Sequence, residues 1–122
     1  MNEEKLNKLP SDVKKQFLKL ALKLSEKKTK TKVHNDFLTF VKHVWPEFIE
    51  GAHHKEIAEK FNQIAQGKIK RLIINMPPRH TKSEFASFLL PAWMVGRKPD
   101  LKIIQTTHTT ELAIRFGRKA KT

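Results

Sequence analysis

Residues 71–83 read Arg-Leu-Ile-Ile-Asn-Met-Pro-Pro-Arg-His-Thr-Lys-Ser, and the fold expected of the chain turns on them. The opening six form a short β-branched apolar run of the kind that a parallel sheet buries on both faces, and Pro77-Pro78 closes it. Behind it, residues 83–95 carry Phe85, Phe88, Leu89, Ala92 and Trp93 at helical spacing, with Pro91 as a kink and Gly96 as a stop. A phosphate-binding loop needs amides converging at a helix N-terminus, a lysine against the negative charge and a hydroxyl next in sequence for Mg²⁺. Lys82 and Ser83 supply the last two in that order. Both glycines of the pattern G-x-x-x-x-G-K-[ST] are replaced, the first by Met76 and the second by Thr81. Glycine tolerates positive φ, so Thr81 must accept strain or shape a different loop.

Downstream, residues 101–107, Leu-Lys-Ile-Ile-Gln-Thr-Thr, read as a second strand, and Thr109 or Thr110 caps a closing helix through Leu112, Ala113 and Phe116. Strand, loop, helix, strand and helix in that order predict a βαβ unit with parallel strands and a right-handed crossover. Upstream, residues 36–45 place Phe37, Leu38, Val41, Val44 and Trp45 on one helical face that Pro46 ends. Residues 53–66 do the same through Ile57, Ala58, Phe61, Ile64 and Ala65, with Gly67 as terminator.

The first 32 residues are a basic extension. Leu6, Leu9, Val13, Phe17, Leu20 and Leu24 recur every three or four positions, which predicts a helix that buries this stripe and solvates its lysines, with Ser11 after Pro10 as cap. The polar stretch 25–32, SEKKTKTK, reads as a linker. Residues 33–122 then form the second part. Each part is basic: 10 Lys against 4 acids in residues 1–32 gives +6 of the total +13 carried by these 122 residues. That charge favours polyanionic partners, nucleic acid or nucleotide phosphates. With no Cys, thiol chemistry, disulfides and Cys-based zinc sites are excluded. The start MNEEKLNKLP lacks the apolar core of a secretory signal, and no run of about 18 apolar residues is present, so a soluble cytosolic protein without membrane partners is expected.

Residues 71–118, RLIINMPPRHTKSEFASFLLPAWMVGRKPDLKIIQTTHTTELAIRFGR, closely resemble the start of the ATPase domain in large subunits of tailed-bacteriophage terminases. The shared pieces are PPRH-x-KS, a Pro-Ala-Trp helix, Gly-x-x-Pro-Asp, a second strand and a Phe-Gly-Arg helix. His53-His54-Lys55-Glu56-Ile57 resembles the family's His-containing helix before the first strand, so that the likeness runs from Asp36 onward. It implies an α/β P-loop NTPase of the ASCE type, here as a βαβ fragment preceded by N-terminal helices. It further implies a motor that uses ATP and Mg²⁺ to drive double-stranded DNA into a prohead. The expected partners are a terminase small subunit, a portal protein and further copies in a ring, in the cytoplasm of an infected bacterial host.

Carried over by position, Lys82 contacts the β- and γ-phosphates, Ser83 ligates Mg²⁺, the amides from Arg79 through His80, Thr81 and Lys82 to Ser83 cradle the phosphates, and Arg79 senses them. His53 or His54 stands toward the adenine in this reading, or else on a polar surface. Arg115 and Arg118, three apart on one helix face, meet DNA, a neighbouring subunit or water. Gln105, Thr106 and Thr107 face the nucleotide or simply end a strand, and His108 stands where crevices open in parallel sheets. Hydrolysis needs an acidic residue at the end of a later strand and a neighbouring glutamate; neither can be placed after Lys102, where the expected strand ends in Gln105-Thr106-Thr107-His108, so an N-terminal fragment without catalytic residues or turnover is expected. The six histidines show no metal-ligand spacing, and adjacent His53 and His54 are expected to point to different sides of a helix. A rival reading keeps the charge and drops the nucleotide: a small basic DNA- or RNA-binding protein whose Arg79, Lys82, Arg115 and Arg118 touch backbone phosphates.

Overall fold

The computed structural model describes residues 10–121, and the elements it forms are helical: α1 (Ser11–Asn35), α2 (Phe37–Val44), α3 (Ala52–Ala65), a π-helical segment Glu84–Leu89 running into α4 (Leu90–Arg97), and α5 (Thr110–Lys121). The chain divides into two units, Met1–Lys32 and Val33–Thr122. Among the described residues no helix is long and apolar enough to cross a membrane.

Helix α1 departs from expectation twice. Residues 25–32 are helix rather than linker, and the hydroxyls of Thr29 and Thr31 donate back to the carbonyls of Ser25 and Lys27 at 3.0 and 2.9 Å. None of its residues is buried, so the apolar stripe through Val13, Phe17, Leu20 and Leu24 lies uncovered. Leu6 and Leu9 fall outside the described residues.

In the second unit, Asp36 opens α2 as its N-cap, its Oδ2 accepting from the Thr39 amide at 2.8 Å and the Thr39 hydroxyl at 2.6 Å. The Trp45 amide closes the helix on Val41 O, one residue before Pro46. Helix α3 ends at Gly67, whose φ of +75° suits a residue without a Cβ. Phe37 lies at the centre of the core, with ring centroids 5.1 Å from Phe61, 5.5 Å from Phe85 and 5.4 Å from Trp93, each edge-on. Val41, Ala58 and Leu89 complete the buried cluster, and the Trp93 indole N–H is satisfied by Val33 O at 3.0 Å.

The expected α/β architecture is not formed. Among the described residues there is no strand: residues 71–76 and 101–107 lie outside every helix and form no strand ladder, so no parallel sheet and no βαβ crossover exist. A strand requires a neighbouring backbone about 4.8 Å away to take its N–H and C=O groups, and in the first segment alternate apolar side chains turn to the helices instead. Leu72 and Ile74 pack against the aromatic core, while Ile73 between them is 85% exposed. In the second segment Ile104 is 90% exposed. The run expected to be buried on both faces is covered on one.

Pro91 interrupts the helix that follows the loop. Lacking an amide hydrogen, it cannot donate to Ser87 O four residues earlier, and the Gln105 side-chain amide does so at 2.5 Å. The turn before it widens to π geometry, with the Leu90 amide on Phe85 O.

Candidate phosphate-binding loop

Residues 77–83 lead from the segment packed on the core into the helical turn at Lys82 and Ser83. Pro77, Pro78, Arg79, Thr81, Lys82, Ser83 and Glu84 line a concavity of about 460 Å³. Arg79 and Thr81 hold φ of 66° and 59°, in the left-handed region that side-chain-bearing residues rarely enter and a β-branched one least readily. The loop therefore keeps the positive φ at position 81 that the glycine of the pattern would supply. The Phe85 amide reaches Thr81 O at 2.9 Å, and the amides of Lys82 and Ser83 belong to the opening turn of the helix, which offers them no intrahelical carbonyl. Lys82 is half-buried and folds back, its Nζ 3.5 Å from Met76 O. Ser83 is exposed on the first turn.

Glu84 is an acid in the lining, and Lys119 of α5 offsets it, with Nζ 2.8 and 2.6 Å from the two carboxylate oxygens and 5.0 Å from the Phe88 ring. Arg79 and Lys82 bring two cationic groups to this concavity and Ser83 a hydroxyl on the first helical turn, groups of the kind that take phosphate oxygens and a phosphate-bound Mg²⁺. Among the described residues no group of three or more His, Cys, Asp or Glu is placed to hold a metal ion by itself.

The two histidines of α3 are not where spacing put them. Their rings lie together, centroids 3.8 Å apart, and His53 also approaches His80 at 5.9 Å. His54 is buried, 6% exposed, between Phe48 and Phe85. Its Nδ1 accepts the Gly51 amide at 2.9 Å, so Nε2 carries the proton and donates to Thr81 Oγ1 at 2.7 Å; that hydroxyl donates on to His80 O at 2.6 Å. His80 donates through Nδ1 to Pro78 O at 3.0 Å. A Cβ at Gly51 would meet Cε1 of the exposed His53 ring at 2.8 Å, so that ring would have to move, while His54 Nδ1 would stay at a van der Waals distance of 3.4 Å. Burial, with His53 and His80 alongside, lowers the His54 pKa below its ordinary 6.5 against the opposing pull of Glu50. Glu50 is in turn paired with Lys42, and with Lys55 at 3.4 Å. Hydrogen bonding to Lys42 holds the Glu50 carboxyl below its ordinary value in spite of desolvation.

The structure thus gathers Arg79, Thr81, Lys82 and Ser83 at one concavity, with His80 in the same loop and His54 behind it. His53 and His54 are not among the residues lining it. Gln105 is engaged with Ser87, while Thr106, Thr107 and His108 are exposed. Arg115 and Arg118 line a different concavity on α5, about 670 Å³, with Glu111, Ile114 and Lys119. Glu84 and Lys119 carried no sequence signal, since they act through each other across 35 positions. Comparison with protein-family models, with curated proteins and with solved structures gives no match.

Proposed function

We propose that residues 77–83 bind the phosphates of ATP with Mg²⁺, and that the chain serves as the nucleotide-binding part of a viral DNA-packaging terminase large subunit. The carrying observation is that Lys82 and Ser83 open a helix at a concavity of about 460 Å³ whose loop has left-handed turns at Arg79 and Thr81. That volume falls in the range of about 300–1,000 Å³ typical of ligand pockets. In this reading Lys82 leaves Met76 O to meet the terminal phosphates, the amides of 79–83 take the oxygens, and Ser83 holds the metal. Mg²⁺, when bound, supplies charge neutralisation between the phosphates. The reading rests on this loop and on the resemblance of residues 71–118, not on a sheet. Double-stranded DNA, a small subunit, a portal, ring neighbours and the host cytoplasm belong to the same proposal.

The exposed lysines of α1 favour a second reading, binding to nucleic-acid backbone without a nucleotide. Titration with a fluorescent ATP analogue and with duplex DNA over a salt series separates the two. The nucleotide reading predicts Mg²⁺-dependent analogue binding that Lys82→Ala weakens at least tenfold. The second predicts no analogue binding and a steep loss of duplex affinity with salt.

A further inference from the structure

We infer that His54 is the positioning residue of the phosphate loop, its Nε2–H···Oγ1 bond holding Thr81 in the left-handed conformation that aims the loop's amides into the concavity; this rests on the phosphate reading of residues 77–83. Thr81 has φ of 59°, a conformation that costs a β-branched residue energy and glycine almost none. Something must hold it there. The hydroxyl is fixed on both sides, accepting from His54 at 2.7 Å and donating to His80 O at 2.6 Å. His54 is fixed in turn by Gly51 N–H on Nδ1 and by the rings of Phe48 and Phe85. The sequence has therefore exchanged a free left-handed glycine for a threonine braced by a residue 27 positions earlier.

The brace works in one protonation state. A proton on Nδ1 would face the Gly51 N–H that now donates to it, and the ring would have to turn, releasing Thr81. The groups facing the imidazole are His53 from α3, His80 from the loop and Glu50 from the segment before α3, and Glu50 is already engaged by Lys42 and Lys55.

The test is a double-mutant cycle on Mg·ATP affinity, measured by calorimetry on the full chain, with His54→Phe chosen to keep the contacts to Phe48 and Phe85. His54→Phe weakens binding about tenfold, or about 1.4 kcal/mol, in the parent and less than twofold in the Thr81→Gly background. Thr81→Val, which keeps the branched shape without the hydroxyl, loses as much as His54→Phe, and Thr81→Ser retains affinity. In the parent, affinity falls as His54 protonates, and the Thr81 amide resonance moves with the same midpoint as the His54 ring. Equal losses from His54→Phe with and without Thr81→Gly, or a Thr81 resonance blind to the His54 titration, would overturn the inference while leaving the site intact. Absence of Mg·ATP binding to the parent at every pH would instead overturn the proposed function and this inference with it.

Discussion

Asn62 Nδ2 donates to Asp36 Oδ1 at 2.8 Å, while Asn62 Oδ1 accepts the Phe37 amide at 2.9 Å, so one side chain of α3 ties both the cap and the first residue of α2. That places the Phe37 ring, whose amide is held, among Phe61, Phe85 and Trp93. Truncation leaves a half-buried amide and a carboxylate oxygen without this partner. Asn62→Ala is expected to destabilise by about 1–3 kcal/mol, read as a lowered urea midpoint. Desolvation pulls the Asp36 carboxyl upward, but hydrogen bonds from Thr39 and Asn62, with Lys42 nearby, outweigh it and hold the group below its ordinary 3.8. Its stabilisation is therefore present above pH 3.8 and lost as the pH falls through the lower folded value. Asn62→Ala should move acid unfolding to higher pH, and an unchanged acid midpoint would remove Asn62 from that balance.

Gln105 and Pro91 are a compensating pair. Gln105→Leu strands the Ser87 carbonyl, an expected loss of about 1–2 kcal/mol in chemical denaturation. Pro91→Ala restores an amide near that carbonyl, so Gln105→Leu should cost less in the Pro91→Ala background. Strictly additive effects would show that Gln105 does not stand in for the missing amide.

His54 should give the fold a decline in stability on its own side of neutrality. Its folded pKa is lowered from 6.5, so the unfolded chain binds more protons between the two values. Stability from this group is complete above pH 6.5 and is lost as the pH falls through the lower folded value. Urea denaturation of His54→Phe at a series of pH values should show this decline removed, and an identical slope in parent and variant would contradict the assignment.

Helices α2 and α3 were legible because each has a periodic apolar face and a local stop, Asp36 before α2, Pro46 after it and Gly67 after α3, whereas the polar end of α1 has no apolar face and read as a linker. The extended segments were not legible as unpaired. Residues 71–76 have the composition of a buried strand, yet composition does not say whether the covering surface is a neighbouring strand or a set of helices. Here Leu72 and Ile74 meet the core and Ile73 faces outward. The stripe of α1 likewise specified a helix without specifying a cover. At the loop, Lys82 and Ser83 stood out as candidates from order alone, and the missing glycine left strain or a different loop open at Thr81, whose φ of 59° is the strained alternative. The bond to His54 was not legible, because it joins positions 27 apart in the chain.

The central claim is that backbone amides and one ammonium at the mouth of this helix take a nucleotide's phosphates. Its most direct test is the set of backbone amide resonances of the ¹⁵N-labelled chain titrated with Mg·ATP, in the parent and in Lys82→Ala. Saturable shifts concentrated at residues 79–83, weakened at least tenfold by Lys82→Ala, are predicted. Shifts absent from 79–83, or equal in the variant, would contradict it.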